Sequence, residues 1–525
     1  MKHLVPVLAA LAAVAAPHAA AAQDHDHAED LGSVTFPSEC SAEAQELMHR
    51  GVAMLHSFWF PEARSTFEAV VQADPGCGIA YWGVAMSHFG NPMAGGSGPE
   101  GQAAGWDAAQ RASQAGARSE RDRAYVDAAV TLFRDHATRS NRERMQAYAA
   151  ALGAIVDRHP EDTEARIFHS LYLVATASPT DLTFVQQQRA ADGLIELYRT
   201  QPRHPGLAHY IIHAFDSPRF AENALAAARQ YASIAPAAPH ALHMPSHIFT
   251  RLGYWDESIA SNREAADLEP TTGGKAHPLD YLVYAYMQQG RDAMALQALQ
   301  EISGRAASEY SAGAVGGYNA MAMPARYALE RDQWDAAARV SVISTAPAAE
   351  AVTHFARGLG AARSGQVAAA RAEVAELERI VAALTAQNDP YWPVPVDAQR
   401  LAVAAWIAQA EGRLSEALEL ARQAADREET VEKHPVTPGP LIPARELLGD
   451  LLMIHRQPAE ALSAYEETHD REPNRARTLA GAARAARAAG REDVARNHYR
   501  ALVDLMDPAS ERPELREAKA FLGVG

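Results

Sequence analysis

Four imidazoles carry the clearest chemical spacing in this sequence: His209 and His243 are 34 residues apart, and so are His213 and His247. Histidines four apart on a helix share one face, with Cβ atoms about 6 Å from each other, and packed neighbouring helices lie about 8–10 Å apart. Two such pairs on adjacent helices converge. Imidazole nitrogens at about 2 Å from zinc or copper require this kind of convergence, and iron is the third candidate. His240 stands three residues before the second pair, and Asp216 three residues after the first. Asp216 could ligate a metal or orient an imidazole from behind.

The elements that position these residues follow from the same period. Ala190, Ala224 and Ser258 are spaced by 34, as are Pro202, Pro236 and Pro270. With the small residue as position 20 of a helical hairpin and the proline as position 32, His209 and His243 fall at position 5, His213 and His247 at position 9. His240 falls at position 2 and Asp216 at position 12, all on the first helix and all facing the concave wall of a stack of hairpins. Pro245 lies inside the second of these helices, where it removes a backbone bond and kinks the helix, re-aiming His243 relative to His247. His277 again lies 34 residues after His243.

Ser41 is an N-cap candidate for a first hairpin whose position 20 is Ala63, which places His56 at position 13; the next hairpin places His88 there too. Both face inward. They stand three or more repeats from the central histidines, about 30 Å at ordinary helix spacing, unless the superhelix curls enough to bring its walls together. The stretch Asn91 to Gly105, rich in Gly, Pro and Ser, reads as a loop. A proline-rich insertion over 428–440 interrupts the period between Ala417 and Ala461. Loops that break a solenoid often lie over its binding face, so His434, Glu429 and Glu432 form a secondary candidate, against the alternative of a structural loop with solvated charges.

Apolar residues recur at three and four, with no strand pattern, so the fold class is all-α. Hairpins are expected over 41–160, 161–270 and 271–508, with a tail over 509–525 and a joint where the period loosens between Thr271 and Ser311. Residues 1–22 read as a secretory signal peptide ending in Ala20-Ala21-Ala22, which predicts an exported, periplasmic or secreted protein. Residues 23–40 are a polar tail opening with Asp24-His25-Asp26-His27, either a loose metal binder or a solvated terminus. The 525-residue chain carries a formal charge of −17, which argues against duplex nucleic acid as a partner. No apolar run of 18 follows the leader, so no transmembrane segment is expected. The two cysteines, Cys40 and Cys77, are 37 apart; export favours a disulfide, and two independent thiols are the alternative.

These phase marks resemble the tetratricopeptide repeat superfamily over most of residues 41 to 508. The phrases HSFWFPEA, DPGCGIAYWGVAM, APHALHMPSHIFTRLGYW and KHPVTPGPLIPARELLGD are similar to a group of exported bacterial tetratricopeptide proteins without an assigned activity. The resemblance implies a right-handed superhelical scaffold for a peptide or protein ligand in its concave groove. It does not imply groove histidines, and ordinary peptide clamps of the superfamily present Lys, Arg and Asn there instead. No G-x-S-x-G, H-E-x-x-H or phosphate-loop signature is present. Three readings are open: a solenoid that binds transition metal through groove histidines, with or without a peptide; a hydrolytic or oxidative metalloenzyme using the same site; and a plain assembly scaffold with structural histidines.

Overall fold

The computed structural model describes residues 30–305, 307–310 and 314–524, and among them every regular element is a helix. The leader 1–22 and residues 23–29 of the polar tail lie outside the described residues. Consecutive helices pair as antiparallel hairpins, beginning with Ala42–His56 against Phe60–Ala73 and continuing to Ala476–Ala488 against Glu492–Leu505. Ser41 caps the first of them, accepting a bond from the Ala44 amide. The small residues that mark the period do the work their size allows: Ala190, Ala224 and Ser258 are fully buried between helices. Aromatic rings fill the gaps glycine leaves. The Phe67 ring occupies the space a Cβ would need at both Gly51 and Gly83, and Tyr465 does the same between Gly449 and Gly481. This stack of paired helices is a tetratricopeptide-type solenoid.

Sequence expectation and structure differ at several places. The stretch from Asn91 to Gly105 is a loop only as far as Gly98; from there Pro99–Ala115 is helix, because proline at the first helical position gives up an amide that would be unbonded anyway. The segment 509–525 carries the helix Pro513–Leu522, whose Leu515 and Ala518 pack on the preceding hairpin. Residues 30–36 are drawn into the fold, with Leu31 and Phe36 buried and the Ser33 amide bonded to the Arg203 carbonyl at 2.9 Å. Cys40 and Cys77 are joined, with Cα atoms 5.2 Å apart.

Two extended apolar cores run along the stack, one from Leu31 to Phe249 and the other from Ala266 to Ala495. The first and the last described hairpins both curl onto the middle. Helix Ala42–His56 packs on helix Pro205–Ala214, and helix Ala476–Ala488 reaches helix Thr272–Gln288. Trp255 Nε1 donates to the Asn474 carbonyl, and the Asp507 amide to the Gln289 carbonyl. The concave wall that the repeat pattern presents to a groove is thereby turned into interior, and the central histidines lie where the two cores meet.

Candidate metal centre

Three successive first helices build the centre. Pro205–Ala214 opens with proline at its first position and carries His209 and His213. The second is broken in two, Pro239–His243 and Pro245–Leu252, with Pro245 at the break as the sequence predicts. The third, Thr272–Gln288, carries His277 and Tyr281. Six imidazoles result, in two groups of three: His209, His213 and His240, and His243, His247 and His277, each group with its donor atoms within 4.8 Å of one another. The groups adjoin, with ring centres 6.0 Å apart for both His213–His247 and His240–His243. His209, His213, His243 and His247 are buried; His240 and His277 are partly exposed.

The hydrogen bonds behind the rings fix which nitrogen faces inward. His209 Nδ1 donates to the His56 carbonyl at 2.6 Å, so its Nε2 holds the lone pair, 3.2 Å from His240 Nε2. Asn262 directs its amide group to the Ser258 carbonyl, so its Oδ1 accepts from His243 Nδ1 at 2.6 Å. Asp216 Oδ2 accepts from His247 Nδ1 at 2.9 Å, since an ionised carboxylate can only accept. His243 Nε2 and His247 Nε2 therefore face each other across 3.0 Å, both as acceptors. His213 has no partner for either ring nitrogen, and His277 none for Nδ1. Tyr281 leaves this gap open, for its hydroxyl donates to the Thr437 carbonyl at 3.2 Å.

Burial and the neighbouring imidazoles push His209, His213, His240, His243 and His277 well below the ordinary histidine range. Burial lowers His247 too, against the opposing pull of Asp216. The rings are thus neutral, the form that ligates metal. Burial alone would raise Asp216, yet Lys433 and Arg251 hold it well below the carboxylate norm; Arg251 Nε bonds it at 2.9 Å and Lys433 Nζ lies 3.1 Å away. Lys433 itself is pushed down to about 8 by burial and by Arg251.

Several sequence-derived assignments need correction. Asp216, read from the sequence as a metal ligand or as a residue behind an imidazole, faces His247 Nδ1 and two cations; it orients that imidazole and belongs to neither group of three. His56 is not 30 Å away: the curl of the superhelix brings its carbonyl onto His209, a close approach that Gly206 permits, because a Cβ there would lie 2.5 Å from His56 Nδ1. Its ring, however, points the other way, into a separate buried set in which Glu164 bridges His56 Nε2 at 2.8 Å and His204 Nε2 at 2.9 Å. His88 is half-buried beside Arg64 and Glu68 and belongs to none of these groups. The loop 428–440 does close over the histidines, but through Lys433 and the Pro435 and Thr437 carbonyls. His434 stacks instead on Trp392 at 5.3 Å, Glu429 pairs with Arg445, and Glu432 with Arg251 and Arg471.

Sequence reasoning left four contributors unassigned. His277 and Tyr281 continue the two 34-residue series, His209–His243–His277 and His213–His247–Tyr281, and that register is a usable signal. Glu164 and Lys433 have none, being brought in by the curl and the loop. Phe58, in a left-handed turn at φ 53, inserts its ring against His209 at 4.4 Å and His240 at 5.2 Å.

Fold and site together define a tetratricopeptide-type solenoid with a buried, histidine-lined centre. No family model matches the sequence, and no curated protein matches it significantly. Among similar solved structures is the APC/C hetero-tetramer Cut9–Hcn1, with 14% identity over 86% of this chain and 78% of that one, at a TM-score of 0.37. Others are the human IFIT1 dimer with m7Gppp-AAAA (12% identity, 82% and 90% covered, TM-score 0.41) and the P58(IPK) TPR domain (16% identity, 69% and 98% covered, TM-score 0.21). The chemistry of the site rests on this chain's own residues.

Proposed function

We propose that this protein is an exported solenoid that holds transition metal at its two groups of three histidines. The carrying observation is the pair of acceptors, His243 Nε2 and His247 Nε2, facing each other at 3.0 Å with both Nδ1 protons already committed. Two lone pairs at that distance repel unless a cation lies between them. A proton fits poorly, since burial disfavours the imidazolium of either ring; a metal ion fits both. The unpartnered acceptor nitrogen of His213 points the same way, because a buried polar group left unpaired costs about 1–3 kcal/mol and a metal removes that cost for the nitrogen it takes. Asp216 and Asn262, and the His56 carbonyl, are the outer partners that fix tautomer and ring orientation at a metal site. Export is supported by the leader-like residues 1–22 and by the Cys40–Cys77 pair. A scaffold of stacked hairpins is also consistent with a protein or peptide partner; the chain's own loop 428–440 fills the space over the histidines, so such a partner engages a different surface.

Metal analysis of untagged protein tests the reading. Zinc or copper in whole-number proportion to the chain is expected. A chain that stays metal-free after incubation with either ion and desalting would return the histidines to a structural role.

A further inference from the structure

We infer that the two groups of three form one dinuclear centre, filled by copper in its cuprous state, that binds dioxygen between the two ions. This rests on the metal-binding reading above and adds the number of ions, their oxidation state and their ligand.

Adjacency comes first. Ring centres of the two groups approach to 6.0 Å at two places, His213–His247 and His240–His243, so one ion in each group lies within reach of a single small bridging molecule.

Charge selects the oxidation state. All six donors are imidazoles, which ligate metal in the neutral form and so bring no charge. The one carboxylate bonded to a donor ring, Asp216, is already matched by Arg251 and Lys433, with Arg251 shared with Glu432, so these side chains leave no free negative charge for the ions. Two divalent ions would bring four positive charges into a site whose ligands supply none, and buried charge without compensation is costly. Cuprous ions halve that charge, and imidazole suits copper.

Access limits the ligand. Of the six residues only His240 and His277, one from each group, are partly exposed, while Phe58 and Tyr281 pack against the rings. A diatomic gas can pass such a rim, whereas a peptide cannot.

The binding step balances within the site. Each cuprous ion gives one electron; dioxygen takes both, losing its π bond and keeping its O–O single bond, and becomes a peroxide bonded to two cupric ions. No proton or outside reductant is consumed. The bridging dianion then offsets part of the charge that oxidation creates.

The test loads metal-free protein with cuprous ion under nitrogen and then admits air-saturated buffer. Expected are two coppers per chain, uptake of one dioxygen per copper pair, an intense near-ultraviolet charge-transfer band, and a centre silent in electron paramagnetic resonance because the two cupric spins are coupled. His213→Ala and His277→Ala should each fall to one copper per chain and lose the band, with the helical circular dichroism of the native chain. Should those variants fail to fold, the wild-type spin signal and oxygen uptake decide alone. One copper per chain, or two that give separate cupric signals and take up no oxygen, overturns this inference while leaving the metal-binding reading in place. Absence of any bound metal overturns both.

Discussion

Helix Thr272–Gln288 serves two buried polar regions, and they are finished differently. Through Asp280, Tyr284 and Gln288 it joins a network in which charge is matched. Arg475 meets Glu330 at 2.9 Å, Glu446 at 3.2 Å and the Tyr284 hydroxyl at 3.0 Å, and Arg326 meets Asp280 at 3.2 Å. Through His277 and Tyr281 it joins the histidine centre, where acceptors face acceptors and His213 has no partner. Both regions are buried, so both must satisfy their polar groups. The first pairs its charges with one another and with backbone carbonyls, and so needs no ligand to balance them. The second leaves inward nitrogens open, and that separates it from a network complete in itself.

The comparison breaks most sharply at Arg475. Arg475→Met leaves Glu330 and Glu446 buried with less counter-charge, which should cost about 3–5 kcal/mol, and the loss should be the same with or without zinc. Urea unfolding of wild type and variant, each with and without metal, checks this; a loss below about 1 kcal/mol would show the network to be dispensable.

Next in size is the metal-dependent gain of the histidine centre. An ion that binds the native chain alone stabilises by about 2.7 kcal/mol at a hundredfold excess over Kd. His213→Ala or His247→Ala should remove most of it, whereas His498→Ala, on helix Glu492–Leu505, should keep it. Melting curves with zinc or copper settle the matter, and an unchanged shift in the central variants would place the metal elsewhere.

Asp216→Asn sharpens the role of the outer shell. Losing the carboxylate behind His247 Nδ1 should weaken metal binding about 10–100-fold without changing the number of ions bound. Competition against a chelator of known affinity measures it, and an altered stoichiometry would make Asp216 a direct ligand.

The smallest effect concerns His434, which burial and Lys433 push down to about 4. The unfolded chain takes up this proton near pH 6.5, so the folded state binds fewer protons between those values. Its contribution is intact above about pH 6.5 and is lost as pH falls toward 4. Because the residue is partly exposed, His434→Gln should recover about 1–2 kcal/mol of the acid loss. Denaturant midpoints from pH 7 to 4.5 provide the check; parallel curves for wild type and variant would contradict it.

Where local pattern carries the information, the sequence was enough. Spacing by 34 placed Ala190, Ala224 and Ser258 in the packing and His209, His213, His243 and His247 on neighbouring helices, because a repeated hairpin has a fixed register and a register assigns each residue a face. The Pro245 break was equally legible, since a missing amide acts wherever it occurs. The role of His56 was not. Its carbonyl reaches His209 only because the stack curls until helix Ala42–His56 meets helix Pro205–Ala214 with Gly206 between, and curl is a sum of small rotations over many hairpins that no single spacing encodes. Lys433 entered by the same route, through a loop whose prolines announced an interruption but not a landing place. The sequence by itself thus determined the repeat, its phase and the histidines that share a wall. Tertiary structure alone decided that this wall is interior, through contacts between residues more than a hundred positions apart such as His56 and His209, and that its imidazoles divide into two groups of three with particular nitrogens unpaired, because that depends on how three neighbouring helices pack and orient each ring.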